Sequence, residues 1–303
     1  MRRILVLLNA RAGTLLDSGT EHVKAALTDA LAPRAERLDI HLLKPRNIHA
    51  AVMHGRASDY DTIIIGGGDG SVNCAAGALA GSDKTLAVLP FGTVNLLGRD
   101  LGMPADIDAA IAALATAQPR RIDLALVNNR MFHSLSGIGF FSQMARAREE
   151  MRGHPLGRFL GFGLAALRAL RRSGRFTLEL EIDGRAQDVD ALAVLVTNNQ
   201  FGPDWRRPRL DRGLLEVHIA EDSSALGMLK ATTDLLTGNW RESPGIRSIV
   251  ARQIVIRHTR RRVWTATDGE LTRERVPLHY AVRPQALTVL MATNDQIQAA
   301  PSN

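Results

Sequence analysis

The chain has 303 residues, 45% of them hydrophobic and 23% charged, a balance that excludes the disordered and collagen-like classes and suits one large domain or two ordinary ones. Its formal net charge of +7 points to an anionic partner, whether nucleotide, phospholipid headgroup or nucleic acid, beside the plainer reading of a solubilising surface. Cys74 is the sole cysteine; that excludes an internal disulfide or a cysteine-based zinc site and suits a reducing, cytoplasmic compartment.

In chain order, Met1-Arg2-Arg3 leads into an apolar run, Ile4 to Leu8, that stops at Asn9. The run is too short for the core of a signal peptide and reads as a buried first strand. No stretch reaches the roughly 18 uninterrupted apolar residues a membrane span needs, so any membrane contact is expected to be peripheral. Strands are expected over residues 3–8, 38–43, 62–65 and 86–89, with helices over 19–31, 48–54, 72–80 and 107–117 between and after them. Pro33, Pro90 and Pro104 punctuate the joints. This alternation predicts a doubly wound α/β domain over residues 1–123.

After Asp123 the pattern changes to short β-like runs at 124–127, 176–182, 192–197, 214–220, 253–258, 263–266 and 286–291. Helical composition remains only at 143–152, 156–172 and 225–236. Residues 124–303 are therefore expected to form a β-rich, antiparallel second domain, whose last strand returns to the first. A polar tail, 294–303, is expected to fray.

The strongest motif is a β-branched strand that runs into Gly66, Gly67, Gly68, Asp69, Gly70 and Ser71, followed by Val72-Asn73 and a helix. Glycines permit positive φ and close backbone approach, so successive N–H groups at a helix start can form a phosphate-binding nest. The Gly-Lys-Ser/Thr ending of a Walker A loop is missing, and the spacing is not that of a dinucleotide fingerprint. The plain alternative is a tight strand-to-helix turn. A second turn, Pro90-Phe91-Gly92-Thr93-Val94-Asn95, follows the next strand, where open α/β sheets bind ligands. Thr93 or Asn95 alone reads equally as a helix cap.

Together the two loops resemble the catalytic domain of the diacylglycerol kinase and sphingosine kinase superfamily, in its bacterial lipid-kinase branch, which pairs a GGDGT-like loop with a PxGTxN segment. That family's opening Asn-Pro-x-x-Gly turn has its counterpart in Asn9-Ala10-Arg11-Ala12-Gly13, with alanine for proline. Its Asp-Gly-Glu segment has its counterpart in Asp268-Gly269-Glu270; without the family, those three residues read as a hairpin turn. Ser136-Gly137-Ile138-Gly139-Phe140 also fits, and the resemblance spans about residues 3 to 291.

The resemblance implies a fold like that of NAD kinase and phosphofructokinase, with the active site in the cleft between the two domains. It implies ATP held by Asn9, the Gly66 to Ser71 loop, Thr93 and Asn95, with Asp69 near Mg²⁺. Glu270 becomes the general base that takes the proton of a lipid hydroxyl, with Asp268 beside it.

Four departures from the family pattern stand out. Phe141 replaces an aspartate, Arg212 replaces an acidic metal ligand so that Asp211 lies one position early, Lys44 stands near a nucleotide-contacting threonine, and a glycine-rich run shrinks to Gly202-Pro203-Asp204-Trp205. Asp211 is the remaining candidate for a structural Mg²⁺.

Diacylglycerol is the first acceptor implied. A ceramide or sphingoid base, phosphatidylglycerol, a soluble acceptor such as NAD, and a catalytically silent binder are the alternatives. Residues 156–172, with arginines on one side and leucines on the other, are a candidate for peripheral contact with an anionic inner-membrane face, or equally a core-packed helix. His133, His154, His218 and His258 lack metal-ligand spacing and read as structural. Arg260-Arg261-Arg262 reads as a surface hairpin turn, so no nucleic acid partner is expected. A homodimer is left open.

Overall fold

The computed structural model describes residues 2–150, 174–202, 205–221, 241, 243 and 245–293. The expected helices over 156–172 and 225–236, the end of the one over 143–152, His154, Pro203, Asp204 and the 294–303 tail lie outside the described residues. The chain divides into two units, one of Met1–Leu124 and Pro284–Asn303, the other of Ala125–Arg283.

The first unit is built on β1 (Arg3–Asn9), β2 (Arg37–Leu43), β3 (Thr62–Gly67) and β4 (Thr85–Pro90). They pair in parallel in the order β2-β1-β3-β4. Every residue of β3 is buried and only the first of β4 is not. That continuous burial is why these strands read as unbroken apolar runs rather than as alternation.

The helices are α1 (Gly13–Ser18), α2 (Thr20–Leu31), which ends in a single 3₁₀ turn, α3 (Pro45–Ala57), α4 (Asp69–Leu79), α5 (Leu96–Asp100) and α6 (Ile107–Thr116). α2 packs on α6, and α3 on α4. Gly55 of α3 lets that helix sit on the sheet, since a Cβ there would lie 2.7 Å from Leu5 and 2.9 Å from Ile63. This is the doubly wound layer that the sequence predicts. The six-residue α1 was not predicted; only its Leu15 is buried, too little for a periodic signal.

The second unit contains the end of β5 (Gln118–Val127), β6 (Arg130–Phe132), β7 (Leu135–Gly139), α7 (Phe140–Glu150), β8 (Phe176–Ile182), β9 (Arg185–Ala191), β10 (Ala193–Asn198), β11 (Leu215–Ala220), β12 (Ile246–Ala251), β13 (Gln253–Arg257), β14 (Arg262–Thr267), β15 (Glu270–Arg275) and the start of β16 (Leu278–Met291). One antiparallel sheet runs β12-β11-β10-β7-β14-β15. In the other, β13 pairs with β8 and with Leu278 to Ala281 of β16, and β8 with β9, all antiparallel.

Side chains from both sheets, among them Val194, Val196 and Val217 from the first and Leu178, Leu180, Ile254 and Tyr280 from the second, merge in one core. The unit is thus the β-rich, antiparallel domain expected, with its strands laid out as a two-sheet sandwich. The later part of β16 belongs to the first unit, where Thr288 and Val289 pair in parallel with Thr85 and Leu86. Arg260 and Arg261 do not make a hairpin turn: they connect β13 to β14, which belong to different sheets, because a β-sandwich chain switches sheets by such connections.

Candidate active site

Two loops of the first unit are held face to face. β3 continues through Gly66 and Gly67, and α4 starts at Asp69 with Gly68 as its N-cap, three residues earlier than expected. The glycines are there for close approach. A Cβ on Gly66 would lie 2.6 Å from Leu8 and 2.7 Å from Phe91, and one on Gly92 would lie 2.6 Å from the Cα of Gly68.

None of Gly66, Gly67, Gly68 and Gly70 adopts a positive φ, so the expected left-handed nest is not formed. The N–H groups at the start of α4 are instead presented in ordinary helical geometry, which itself favours anions.

Asp69 ties the loops together. Its Oδ2 accepts the N–H of Asn95 at 3.1 Å and its Oδ1 the N–H of Leu96 at 2.8 Å, so it caps α5 from another helix. Asn95 itself sits in the left-handed region, φ 51° and ψ 47°, a conformation asparagine tolerates when its amide bonds locally. Here the amide oxygen accepts the Gly92 N–H at 2.8 Å, while Nδ2 donates to the carbonyls of Gly92 at 2.7 Å and Pro90 at 3.1 Å.

Asn9, at the end of β1, donates from Nδ2 to Ser71 Oγ at 3.0 Å and accepts the Arg11 N–H at 3.0 Å. Thr14 reaches the Phe91 carbonyl at 3.2 Å. Thr93 is exposed. The structure therefore brings Asn9, the glycine loop, Ser71, Asp69 and Asn95 into one network, with Thr93 on the same loop as Asn95.

In the second unit Asp268 and Gly269 have φ of 46° and 82°, and Thr267 pairs with Glu270 across the ladder. They form a two-residue Asp-Gly hairpin turn between β14 and β15, the turn that fits the twist of the strands. The hairpin reading and the functional reading thus fall on the same residues.

Asp268 points inward, only 2% exposed, and accepts three backbone N–H groups, from His133 at 2.7 Å, Ser134 at 3.0 Å and Leu135 at 3.0 Å. It anchors the segment between β6 and β7. Arg207, buried and absent from the sequence reading, donates to the carbonyls of His133 and Asn198 and to Ser134 Oγ, filling in behind that segment. Glu270 instead faces solvent, its side chain 45% exposed, and forms an ion pair with Arg130 of β6. Nothing in the local sequence marks Arg130 or Arg207; both matter through contacts made across more than sixty residues.

The remaining candidates lie elsewhere. Asp211 is held in a two-point pair by Arg209, at 2.8 and 3.1 Å, and that guanidinium keeps its carboxyl below the usual carboxylate range. Arg212 follows directly, and no group of three or more His, Cys, Asp or Glu side chains gathers as a metal site among the described residues. This local chemistry does not fit a bound structural cation at Asp211.

Phe141 lies on α7 edge-to-face with Phe140, and Lys44 is exposed at the start of α3. His218 is structural. It is 4% exposed, within 2.8 Å of Ser248 Oγ, and burial pushes its imidazole down to about 3, with the Arg241 charge adding to the effect. Glu216 approaches its Nε2 at 3.6 Å, but that carboxylate is already neutralised by Arg241 at 2.6 and 3.1 Å.

Two family models cover most of the chain: the diacylglycerol kinase catalytic domain matches residues 3–127, and the YegS C-terminal NAD kinase beta sandwich-like domain matches residues 137–291. The chain belongs to the diacylglycerol kinase superfamily, in its bacterial branch.

Among its relatives, a Staphylococcus aureus diacylglycerol kinase is 28% identical over 217 residues, 68% of this chain and 69% of that one. An uncharacterized Synechocystis protein is 28% identical over 187 residues, 60% of this chain but only 43% of that one. A crystal structure from Bacillus anthracis matches with a TM-score of 0.79 at 23% identity, covering 97% of this chain and 98% of that one. A second, of a diacylglycerol kinase from the same organism, gives 0.71 at 19% identity, with 97% and 98% covered. These likenesses show a shared fold. Among the described residues no helix is long and apolar enough to cross a membrane.

Proposed function

We propose that this protein is an ATP-dependent lipid kinase that transfers the γ-phosphoryl group to a lipid hydroxyl, with diacylglycerol the first acceptor to test. The observation that carries the reading is the pair of glycine loops tied by Asp69 to Asn95, within a chain that belongs to a kinase superfamily.

In this reading the phosphates of ATP rest against the N–H groups at the start of α4, with Asn9, Ser71, Thr93 and Asn95 around them. Glu270 accepts the proton of the acceptor hydroxyl as its oxygen attacks phosphorus and the bond to the ADP oxygen breaks. Glu270 suits that role better than Asp268, since its carboxylate is open to solvent while Asp268 is only 2% exposed and sealed behind three backbone donors. Arg130 must release Glu270, or move with it, before the proton can be accepted.

A single carboxylate at the glycine loop fits Mg²⁺ carried in by ATP, an ion commonly held by one or two carboxylates and the phosphates themselves. Asp69 would hold it, and when bound it would supply charge neutralisation at the transferring group.

The test is transfer of labelled γ-phosphate from ATP to a panel of lipids in mixed micelles, with NAD as a soluble acceptor, for wild type beside Glu270→Gln. Wild type is expected to label one lipid class, and the variant to turn over about 10²- to 10⁴-fold more slowly. Label on NAD alone would move the protein to the soluble-acceptor kinases. Full activity in the variant would remove Glu270 from the chemistry.

A further inference from the structure

The β14–β15 hairpin sorts its side chains by face. Across the ladder, Val263 pairs with Glu274, Thr265 with Thr272 and Thr267 with Glu270; on the alternate positions Arg262 pairs with Arg275, Trp264 with Arg273 and Ala266 with Leu271. Because successive residues of a strand point to opposite sides, these sets define two faces. The first set carries both acids of the two strands, Glu270 and Glu274, and its Val263 packs on the sandwich core while Thr265 and Thr267 are fully buried.

On the second face the two strands carry no acid, and α7 packs over its Ala266 end, where Phe141 lies against Gly137, the ladder partner of Ala266. Ala266 is buried, but at the other end Trp264 is 39% exposed and Arg262, Arg273 and Arg275 are all exposed. None of these three guanidinium groups has an ion-pair or hydrogen-bond partner among the described residues. Exposed Arg260 and Arg261 precede the same end of the hairpin.

Such a face is costly in isolation. Like charges set directly opposite across a ladder repel, and here Arg262 faces Arg275 with no carboxylate between them, on a strand that also exposes an indole. An anionic, interfacial partner removes both costs. Guanidinium groups pair with phosphate oxygens, and an indole is at its most comfortable at headgroup depth, apolar body inward and N–H outward.

We propose that this face of β14–β15 docks the protein on an anionic lipid surface. It rests on the proposed function in one respect: a lipid acceptor is what makes a bilayer the partner chosen over other polyanions. The hairpin that carries the proposed base on one face would then carry the membrane contact at the exposed end of the other, so that docking and the proposed proton acceptor share one rigid element.

The test is sedimentation with phosphatidylglycerol/phosphatidylcholine vesicles against phosphatidylcholine vesicles, without ATP or acceptor, at low and high salt. Wild type is expected to bind only the anionic vesicles and to be released by salt. The R262Q/R273Q/R275Q variant should bind on the order of a hundredfold more weakly, at about 1 kcal/mol per arginine removed and about 1.4 kcal/mol per tenfold. Trp264→Ser should weaken binding roughly tenfold, and Trp264→Phe should keep most of it. All these side chains are exposed, so each variant should melt with wild type, and a circular-dichroism melt checks it.

Unchanged vesicle binding in the triple variant overturns the proposal. So does a finding that the triple variant loses binding to duplex oligonucleotide, or loses self-association by light scattering, while its vesicle binding persists; either assigns the face to that partner. Because the assay contains no ATP, vesicle binding through this face stands even when no lipid is phosphorylated. Conversely, undiminished phosphorylation of vesicle-borne lipid by the triple variant overturns the docking surface and leaves the proposed activity intact.

Discussion

Asp69 in the first unit and Asp268 in the second have the same chemical employment and different surroundings. Each uses its carboxylate to accept backbone N–H groups from a distant loop: two for Asp69, three for Asp268. Asp69 is only partly buried, at the start of a helix and next to the exposed Gly70. Asp268 is sealed inside the sandwich, with Arg207 and His133 behind it. A carboxylate with its oxygens in a dry interior serves architecture. One that keeps a solvent-facing side can hold a loop and still meet a ligand.

That contrast can be broken most directly at Asp268. Replacing it with alanine strands three buried N–H donors, and urea unfolding of Asp268→Ala should show a loss of roughly 3–5 kcal/mol. A loss near zero would mean that solvent reaches the site and the distinction between the two aspartates fails.

The same dry interior should make the sandwich the acid-sensitive part. His218 is held neutral, its imidazole at about 3 in the folded chain against 6.5 when exposed. Between those values the unfolded chain takes up a proton that the folded chain refuses, so this contribution to stability is complete above pH 6.5 and falls away as pH drops. At pH 5 the loss from this residue is about 2 kcal/mol. His218→Gln, which keeps a partner for Ser248, should flatten the pH dependence of unfolding over that range, and an unaltered slope would assign the acid sensitivity elsewhere.

The smallest stability effect is expected at Asp69. Asp69→Asn keeps an oxygen acceptor for one of the two N–H groups and should cost about 1 kcal/mol in the same unfolding assay. Its kcat/KM for ATP-dependent transfer should nevertheless fall at least about tenfold, since one unit of charge at the proposed metal position is lost. Equal stability costs at Asp69 and Asp268 would erase the comparison.

Much of this was legible in the chain itself. β1, β3 and β4 declared themselves because burial on both faces makes a strand uniformly apolar, whereas β2, at the sheet edge, has no buried residue and carries Asp39 and His41 among its apolar ones. The strand-to-helix glycine turn from Gly66 to Ser71 was legible too, but its glycines serve close approach rather than positive φ.

The strands that escaped notice in the second unit include β9, β12 and β15, all of them sheet edges. Edge strands carry charge to discourage mispairing. Arg185-Ala186-Gln187-Asp188-Val189-Asp190-Ala191 and Glu270-Leu271-Thr272-Arg273-Glu274-Arg275 therefore lack the apolar alternation that announces a strand. Arg130 and Arg207 escaped for a different reason: their partners are set by the tertiary fold, and no local pattern encodes them.

The 14-residue β16 serves both units, its first residues pairing with β13 and Thr288 and Val289 with β4. Its later half is also bonded at Ala286, whose carbonyl accepts the Gly81 N–H at 2.7 Å, and just beyond the strand Ala292 donates to the Leu101 carbonyl at 2.9 Å. The parallel sheet of the first unit is thus finished by a segment some two hundred residues downstream of the strand it completes. Loop closure over such a span is slow, and until it happens β4 presents an unpaired edge to any other chain in the same state. The two glycine loops are assembled early in the sequence, yet the sheet beneath them is closed late, and refolding of the first unit is expected to wait for the second.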